Sequence, residues 1–258
     1  VESGEADHRR QSSPVVAVCG KGGVGKTAFS AMMSRAMIEG GLKPLLLVDA
    51  DPAGGLVAAT GGRVGKTLSQ VRESLIEAAR GSGKNEKEQL ARSIDYMMLE
   101  ALHEGDGFSL LAMGRNTGRG CYCPANTLLR QAIDSVSDPF RAVIIDAEAG
   151  LEQINRRVTR RVTHTVIIVD GSARSFLTME AISSMVDTGK KYFVTNRMGN
   201  SPGMEIEPGV IYAGAVPEDQ TLRNYDREGR PLWDLPEDSA ALDAVRKIYV
   251  LLNLMNNN

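Results

Sequence analysis

The segment Gly20-Lys21-Gly22-Gly23-Val24-Gly25-Lys26-Thr27 restricts what this chain can fold into more than any other. It follows the apolar run Pro14-Val15-Val16-Ala17-Val18, and the residues after it, 27–39, are good helix formers with apolar side chains at Ala28, Met32, Met33, Ala36 and Met37. Gly40-Gly41 then reads as a helix stop. Strand, glycine loop and helix start form the context that confirms G-x-x-x-x-G-K-[ST] as a phosphate-binding loop. Glycines let the loop wrap so that successive backbone N–H groups face an anion. Lys26 is placed to reach the β- and γ-phosphates, Thr27 to put a hydroxyl on Mg²⁺, and the positive helix end adds to the attraction. Gly20, Gly22, Gly23, Val24, Gly25, Lys26, Thr27 and Ala28 are therefore candidate nucleotide-binding residues.

With 258 residues, 42% of them hydrophobic, the chain can bury one substantial core, so a single domain over 14–258 is expected. Residues 1–13 are polar and aperiodic and read as a disordered lead-in. A net charge of −2 and no long basic run argue against nucleic acid or an anionic membrane as partner. No apolar stretch approaches the ~20 residues that span a bilayer and no signal-peptide core opens the chain, so a cytoplasmic protein is expected. Three cysteines are too few for a disulfide framework, which leaves metal or redox chemistry open. Cys19, just before the loop, reads as a buried strand-end residue.

Further apolar runs alternate with helical stretches. Leu45-Leu46-Leu47-Val48 ends in Asp49-Ala50-Asp51-Pro52, at the strand end where open parallel sheets place functional carboxylates. Residues 108–113 form the next strand, and Ala142-Val143-Ile144-Ile145 ends in Asp146, the Walker-B pattern in which a carboxylate holds the magnesium shell. Strands over 165–169, 192–195 and 210–216 follow, with Asn196-Arg197 after the second of these and Pro217-Glu218-Asp219 opening a loop after the third. Helices are expected over 67–80, 86–102, 175–187 and 239–254, and His164 reads as a surface or capped histidine. Gly61-Gly62-Arg63-Val64-Gly65-Lys66-Thr67 looks like a second phosphate loop, but its first motif glycine would fall on Thr60 and no buried strand precedes it. Six or seven apolar strands alternating with helices give a doubly wound, mostly parallel α/β sheet carrying a P-loop NTPase. The absence of N-K-x-D after residue 196 favours ATP over GTP.

The second lysine of the loop, Lys21, makes G-K-G-G-V-G-K-T resemble the deviant Walker-A (SIMIBI) family of dimeric ATPases that includes ParA, MinD, the arsenite-pump ATPase and the nitrogenase iron protein. The resemblance implies a homodimer in which Lys21 reaches across the two-fold axis to the partner's nucleotide as a catalytic group beside Lys26. It also implies that Asp51 orients the attacking water and that Asp49 supports the Mg²⁺ shell with Thr27 and Asp146. Asn196 with Arg197, and Pro217 with Glu218, would then lie at the adenine.

What such a switch acts on must come from elsewhere in the chain. Cys121 and Cys123 are two apart, so in an extended segment their thiols project to one side and can converge on one ion or meet a symmetry mate. A dimer would offer four thiolates, a soft set suited to Ni²⁺, Zn²⁺ or an iron–sulfur cluster; a bare C-x-C can equally be structural. The flanks, G-R-G-C-Y-C-P-A-N and D-A-E-A-G-L-E-Q, resemble the CooC-type ATPases. That resemblance implies a Ni²⁺ or Zn²⁺ site at the dimer interface and a nickel enzyme as partner, such as carbon monoxide dehydrogenase or acetyl-CoA synthase. A ParA/MinD-like positioning switch without a metal is the other reading. An electron-transfer iron protein is a third, and it lacks the second cluster cysteine it would need at 147–150.

Overall fold

The computed structural model describes residues 13–80, 99–115, 137, 139–147, 161–198 and 208–254. Strands β1 (Val15–Gly20), β2 (Leu45–Asp49), β3 (Leu102–Gly105), β4 (Phe108–Ala112), β5 (Ala142–Asp146), β6 (His164–Val169), β7 (Lys190–Asn196) and β8 (Val210–Val216) form one sheet in the order β3-β4-β2-β5-β1-β6-β7-β8. All pairings are parallel except β3 with β4. The α-helices among the described residues are α1 (Lys26–Glu39), α2 (Gly55–Ala59), α3 (Leu68–Arg80), α4 (Ala173–Met185), α5 (Gln220–Glu228) and α6 (Ala240–Leu252), with a 3₁₀ turn at Leu232–Asp234.

The strands read as unbroken apolar runs because both faces are covered. Val16, Val18, Leu45, Leu47, Ile144, Val166 and Ile168 enter one core with Met32, Met33 and Met37 of α1 and Leu242, Val245 and Ile248 of α6. Their alternating neighbours Val15, Ala17, Leu46, Val48, Ile145 and Ile167 enter a second core with Leu68 of α3 and Phe176 and Met179 of α4. Each strand therefore serves both cores at a period of two. From β1 the chain first builds toward β2 and β4, then returns to build β6, β7 and β8 on the other flank. The reversal falls at β1, which places a crevice at the carboxyl ends of the central strands.

Several expectations need correction. Among the described residues the sheet has eight strands rather than six or seven. Of the helix expected over 86–102, residues 86–98 lie outside the described residues, and Leu102 belongs to the antiparallel edge strand β3. Pro217-Glu218-Asp219 leads into a helix, α5, with Asp219 as its N-cap. The stretch expected as a helix over 175–187 starts earlier, because Ser172 accepts a hydrogen bond from Ser175 N and caps α4. The loop at 61–67 follows a short helix, as its rejection as a phosphate loop required.

His164 is not on the surface: it is 1% exposed at the start of β6. Its Nδ1 lies 2.8 Å from Thr163 Oγ1, its ring stacks on Tyr192, and Nε2 has no hydrogen-bond partner among the described residues. Burial, assisted by Lys190, pushes its pKa down to about 4. A histidine titrating lower when folded than unfolded binds its proton mainly in the unfolded chain. Its contribution is therefore intact above about pH 6.5 and is lost as the pH falls toward 4, by about 3 kcal/mol in all. Urea denaturation at pH 7 and pH 5 should show a smaller acid-induced loss in His164→Phe, which keeps an aromatic ring against Tyr192 and removes the titration. An equal loss in both proteins would place the acid sensitivity elsewhere.

Candidate nucleotide site

The carboxyl ends of β1, β2, β5, β6 and β7 converge on the loop after β1. Gly20 closes β1 with φ +142°, and a Cβ there would stand 2.5 Å from the Ile168 carbonyl oxygen. Gly25 at φ +94° is the N-cap of α1, and a Cβ would stand 2.4 Å from Asn196 Nδ2. Both positions combine a left-handed backbone with a close approach, which only glycine accommodates. The loop thus wraps over the start of a 14-residue helix.

Beside the loop lies a cavity of about 550 Å³, lined by Gly22, Gly23, Gly25, Lys26, Thr27, Ala28, Asp51, Asn196, Arg197, Pro217, Glu218, Asp219, Leu222, Arg223 and Asp226. That size suits a small-molecule ligand. Gly20 and Val24 sit behind this wall in the buried scaffold, Val24 with its side chain in the core. Lys26 is 8% exposed, and its ammonium donates to the Lys21 carbonyl at 3.2 Å.

Below the loop, Asp146 accepts hydrogen bonds from Thr27 Oγ1 at 2.7 Å and Ser30 Oγ at 3.1 Å. Asp49 pairs with Asp146 in register across β2 and β5. Its Oδ2 accepts from Leu56 N and Val57 N at the start of α2, and its Oδ1 from Asp51 N. Burial raises the pKa of both carboxyls, and each pair of neighbouring acids adds to the effect: Asp146 on Asp49, and Asp51 on Asp146. Two buried like charges with a hydroxyl between the cavity and one of them form a hard oxygen set that suits Mg²⁺, which characteristically takes one or two carboxylates and leaves other positions to phosphates and water. Among the described residues no group of three or more His, Cys, Asp or Glu side chains is arranged to hold a metal ion, and Cys121 and Cys123 lie outside those residues. Cys19 is fully buried, and burial pushes its thiol up to about 12.

Lys21 does not line the cavity. Its ammonium pairs with Asp170 Oδ2 and Ser172 Oγ, each at 3.2 Å, at the end of β6 and the start of α4. The Ser172 hydroxyl, ahead of Lys21, holds the Asp170 carboxyl well below the usual range. Asn196 Nδ2 donates to the Val24 carbonyl at 2.7 Å and Arg197 Nη2 to the Gly23 carbonyl at 2.6 Å. Asp219 Oδ1 caps α5 while its Oδ2 accepts from Ser239 Oγ and Ala241 N at the start of α6. Sequence reasoning placed Asp219 in the loop that Pro217 opens without giving it a role, and missed Ser30, Asp170 and the α5 residues Leu222, Arg223 and Asp226. Only Asp219 carried a readable signal, as an acidic cap three residues after a strand, with Gly229 at the far end of the helix it starts.

Fold and loop define a P-loop ATPase-type domain. The chain matches the AAA domain family over residues 14–197 and belongs to that family. It is 35% identical to an uncharacterized ATP-binding protein of Methanocaldococcus jannaschii, over 91% of this chain and 96% of that one. It is 28% identical to the carbon monoxide dehydrogenase accessory protein CooC of Rhodospirillum rubrum, over 85% of this chain and 89% of CooC. Its fold is that of the ParA family ATPase from Chlorobium tepidum TLS, with a TM-score of 0.68 at 15% identity over 94% and 99% of the two chains. The cell division ATPase MinD of Pyrococcus furiosus gives 0.64 at 20% identity over 95% and 100%. No helix among the described residues is long and apolar enough to cross a membrane.

Proposed function

We propose that this chain is an ATP-hydrolysing dimeric switch that gathers a soft metal ion, nickel foremost, between Cys121 and Cys123 of two subunits and assists its insertion into a nickel enzyme such as carbon monoxide dehydrogenase or acetyl-CoA synthase. The likeness to CooC across most of both chains carries this reading, and the C-x-C supplies the chemistry. In it the loop and Lys26 hold the phosphates, Asn196 and Pro217 flank the adenine, and Asp51 at the cavity wall orients the attacking water. Thr27, Asp146 and Asp49 would hold the Mg²⁺ shell, and that ion supplies positive charge to offset the charge developing on the transferring phosphoryl oxygens. Lys21 of each subunit would act on the other's nucleotide. Nickel is cargo here, and closure and reopening of the dimer change how the thiolates meet it.

The fold of ParA and MinD favours a second reading, a positioning switch whose C-x-C is incidental. One experiment separates them: metal content and oligomer mass of reduced protein with added Ni²⁺ or Zn²⁺, for wild type and the double variant Cys121→Ala/Cys123→Ala. About one metal per dimer, lost in the variant, is the expected result. Equal metal uptake by both proteins, or none by either, would favour the positioning switch.

A further inference from the structure

Two consecutive residues at the end of β7 grip two consecutive carbonyls of the phosphate loop: Asn196 takes Val24 and Arg197 takes Gly23. In a trans peptide the C=O and the following N–H point in opposite directions. Drawing the Gly23 and Val24 carbonyls toward β7 therefore turns the N–H groups of Val24 and Gly25 the other way. We propose that Asn196 and Arg197 are positioning residues that fix the peptide orientations of the loop, so that its N–H groups are set for an anion before one arrives.

Three features of the fold agree with this. Arg197 adopts φ +59°, in the left-handed region that costs a non-glycine residue energy. Its backbone N–H donates to the Val216 carbonyl at 2.9 Å, so the turn is tied to β8 while the side chain reaches back to the loop. Gly25 leaves the space that Asn196 Nδ2 occupies, since a Cβ there would stand 2.4 Å from that nitrogen. An amide has two N–H groups and a carbonyl oxygen, so bracing the loop with one N–H is compatible with Asn196 also meeting a base.

The inference rests on the nucleotide reading of the cavity but makes a claim about the ligand-free protein. Arg197→Gly removes the grip while accepting the positive φ, so the variant keeps its fold. Amide exchange over the loop peptide 20–27, measured without ligand, should be about fivefold or more faster in Arg197→Gly, and Arg197→Lys should recover part of the protection. With Mg²⁺ present, affinities for ADP and for inorganic tripolyphosphate should both fall by about tenfold in Arg197→Gly. Unchanged exchange would overturn the brace even if affinity fell, because a side chain that only touched phosphate would leave the free loop alone. A loss confined to ADP would also overturn it and make Arg197 a base or ribose contact. Failure of the wild type to bind either ligand would instead sink the nucleotide reading.

Discussion

Alanine at position 21 is expected to slow ATP hydrolysis by about 10²–10³-fold, the usual cost of deleting one preorganised donor to transition-state charge. ADP affinity should stay within about threefold, under 1 kcal/mol. The split follows from where the lysine is. Lys26 lines the cavity, whereas Lys21 is turned to Asp170 and Ser172, so it contributes little to holding a nucleotide in its own subunit. If it acts, it acts on the partner's nucleotide, after exchanging a carboxylate for a phosphate. Single-turnover hydrolysis and calorimetric ADP binding measure the two halves of the claim. Mixing subunits tests the crossing itself: Lys21→Ala binds ATP but lacks the finger, and Lys26→Ala keeps the finger but binds poorly. Activity in the mixture well above the sum of the two variants is expected; none would place Lys21 outside the chemistry.

The second large effect is opposed in its two readouts. Asp146→Asn should lower Mg²⁺-dependent hydrolysis by at least about 10²-fold, because it removes the charge beside Thr27 that, on the proposed reading, would hold the Mg²⁺ shell. The same change should make the ligand-free protein more stable at pH 8, by on the order of 1–3 kcal/mol, since a buried carboxylate facing Asp49 is costly. The sign follows from the raised pKa of Asp146, which burial causes. A carboxyl that holds its proton more tightly when folded loses stability as the pH rises through its folded value. The gain should therefore shrink to a small remainder near pH 4, where the folded carboxyl is protonated and the unfolded one, with an ordinary value of 3.8, is about half protonated. Thermal unfolding at pH 8 and pH 4 without Mg²⁺ measures it, and a variant less stable at pH 8 would contradict the burial cost. Such trade-offs mark a site where charge is held for chemistry rather than for the fold.

The sheet was legible in the sequence because strands buried on both faces are written as unbroken apolar runs, and β1, β2, β5 and β6 stand where those runs fall. The edge was harder. Leu102-His103-Glu104-Gly105 has neither length nor apolar pattern, and only the two-residue turn Asp106-Gly107 before β4 signalled a hairpin. Helix α5 has no fully buried side chain and sets only Leu222 and Tyr225, partly buried, against the core; its caps, Asp219 and Gly229, were its clearest trace. His164 was misjudged because one polar residue at the head of an apolar run says nothing of what packs over it. Ser30, Asp170 and Ser172 were invisible for a plainer reason: their partners lie more than a hundred residues away in the chain.

Asp219 caps α5 through one oxygen and takes the head of α6 through the other. The wall of the cavity and the helix laid across β8 are therefore yoked at a single hinge pin. Loss of that carboxylate would remove the cap of α5 and, at the head of α6, leave Ser239 to cap Leu242 alone. From that shared carboxylate α6 runs about 20 Å by the helical rise of its 13 residues, so the cavity wall and a distant stretch of surface rest on one side chain.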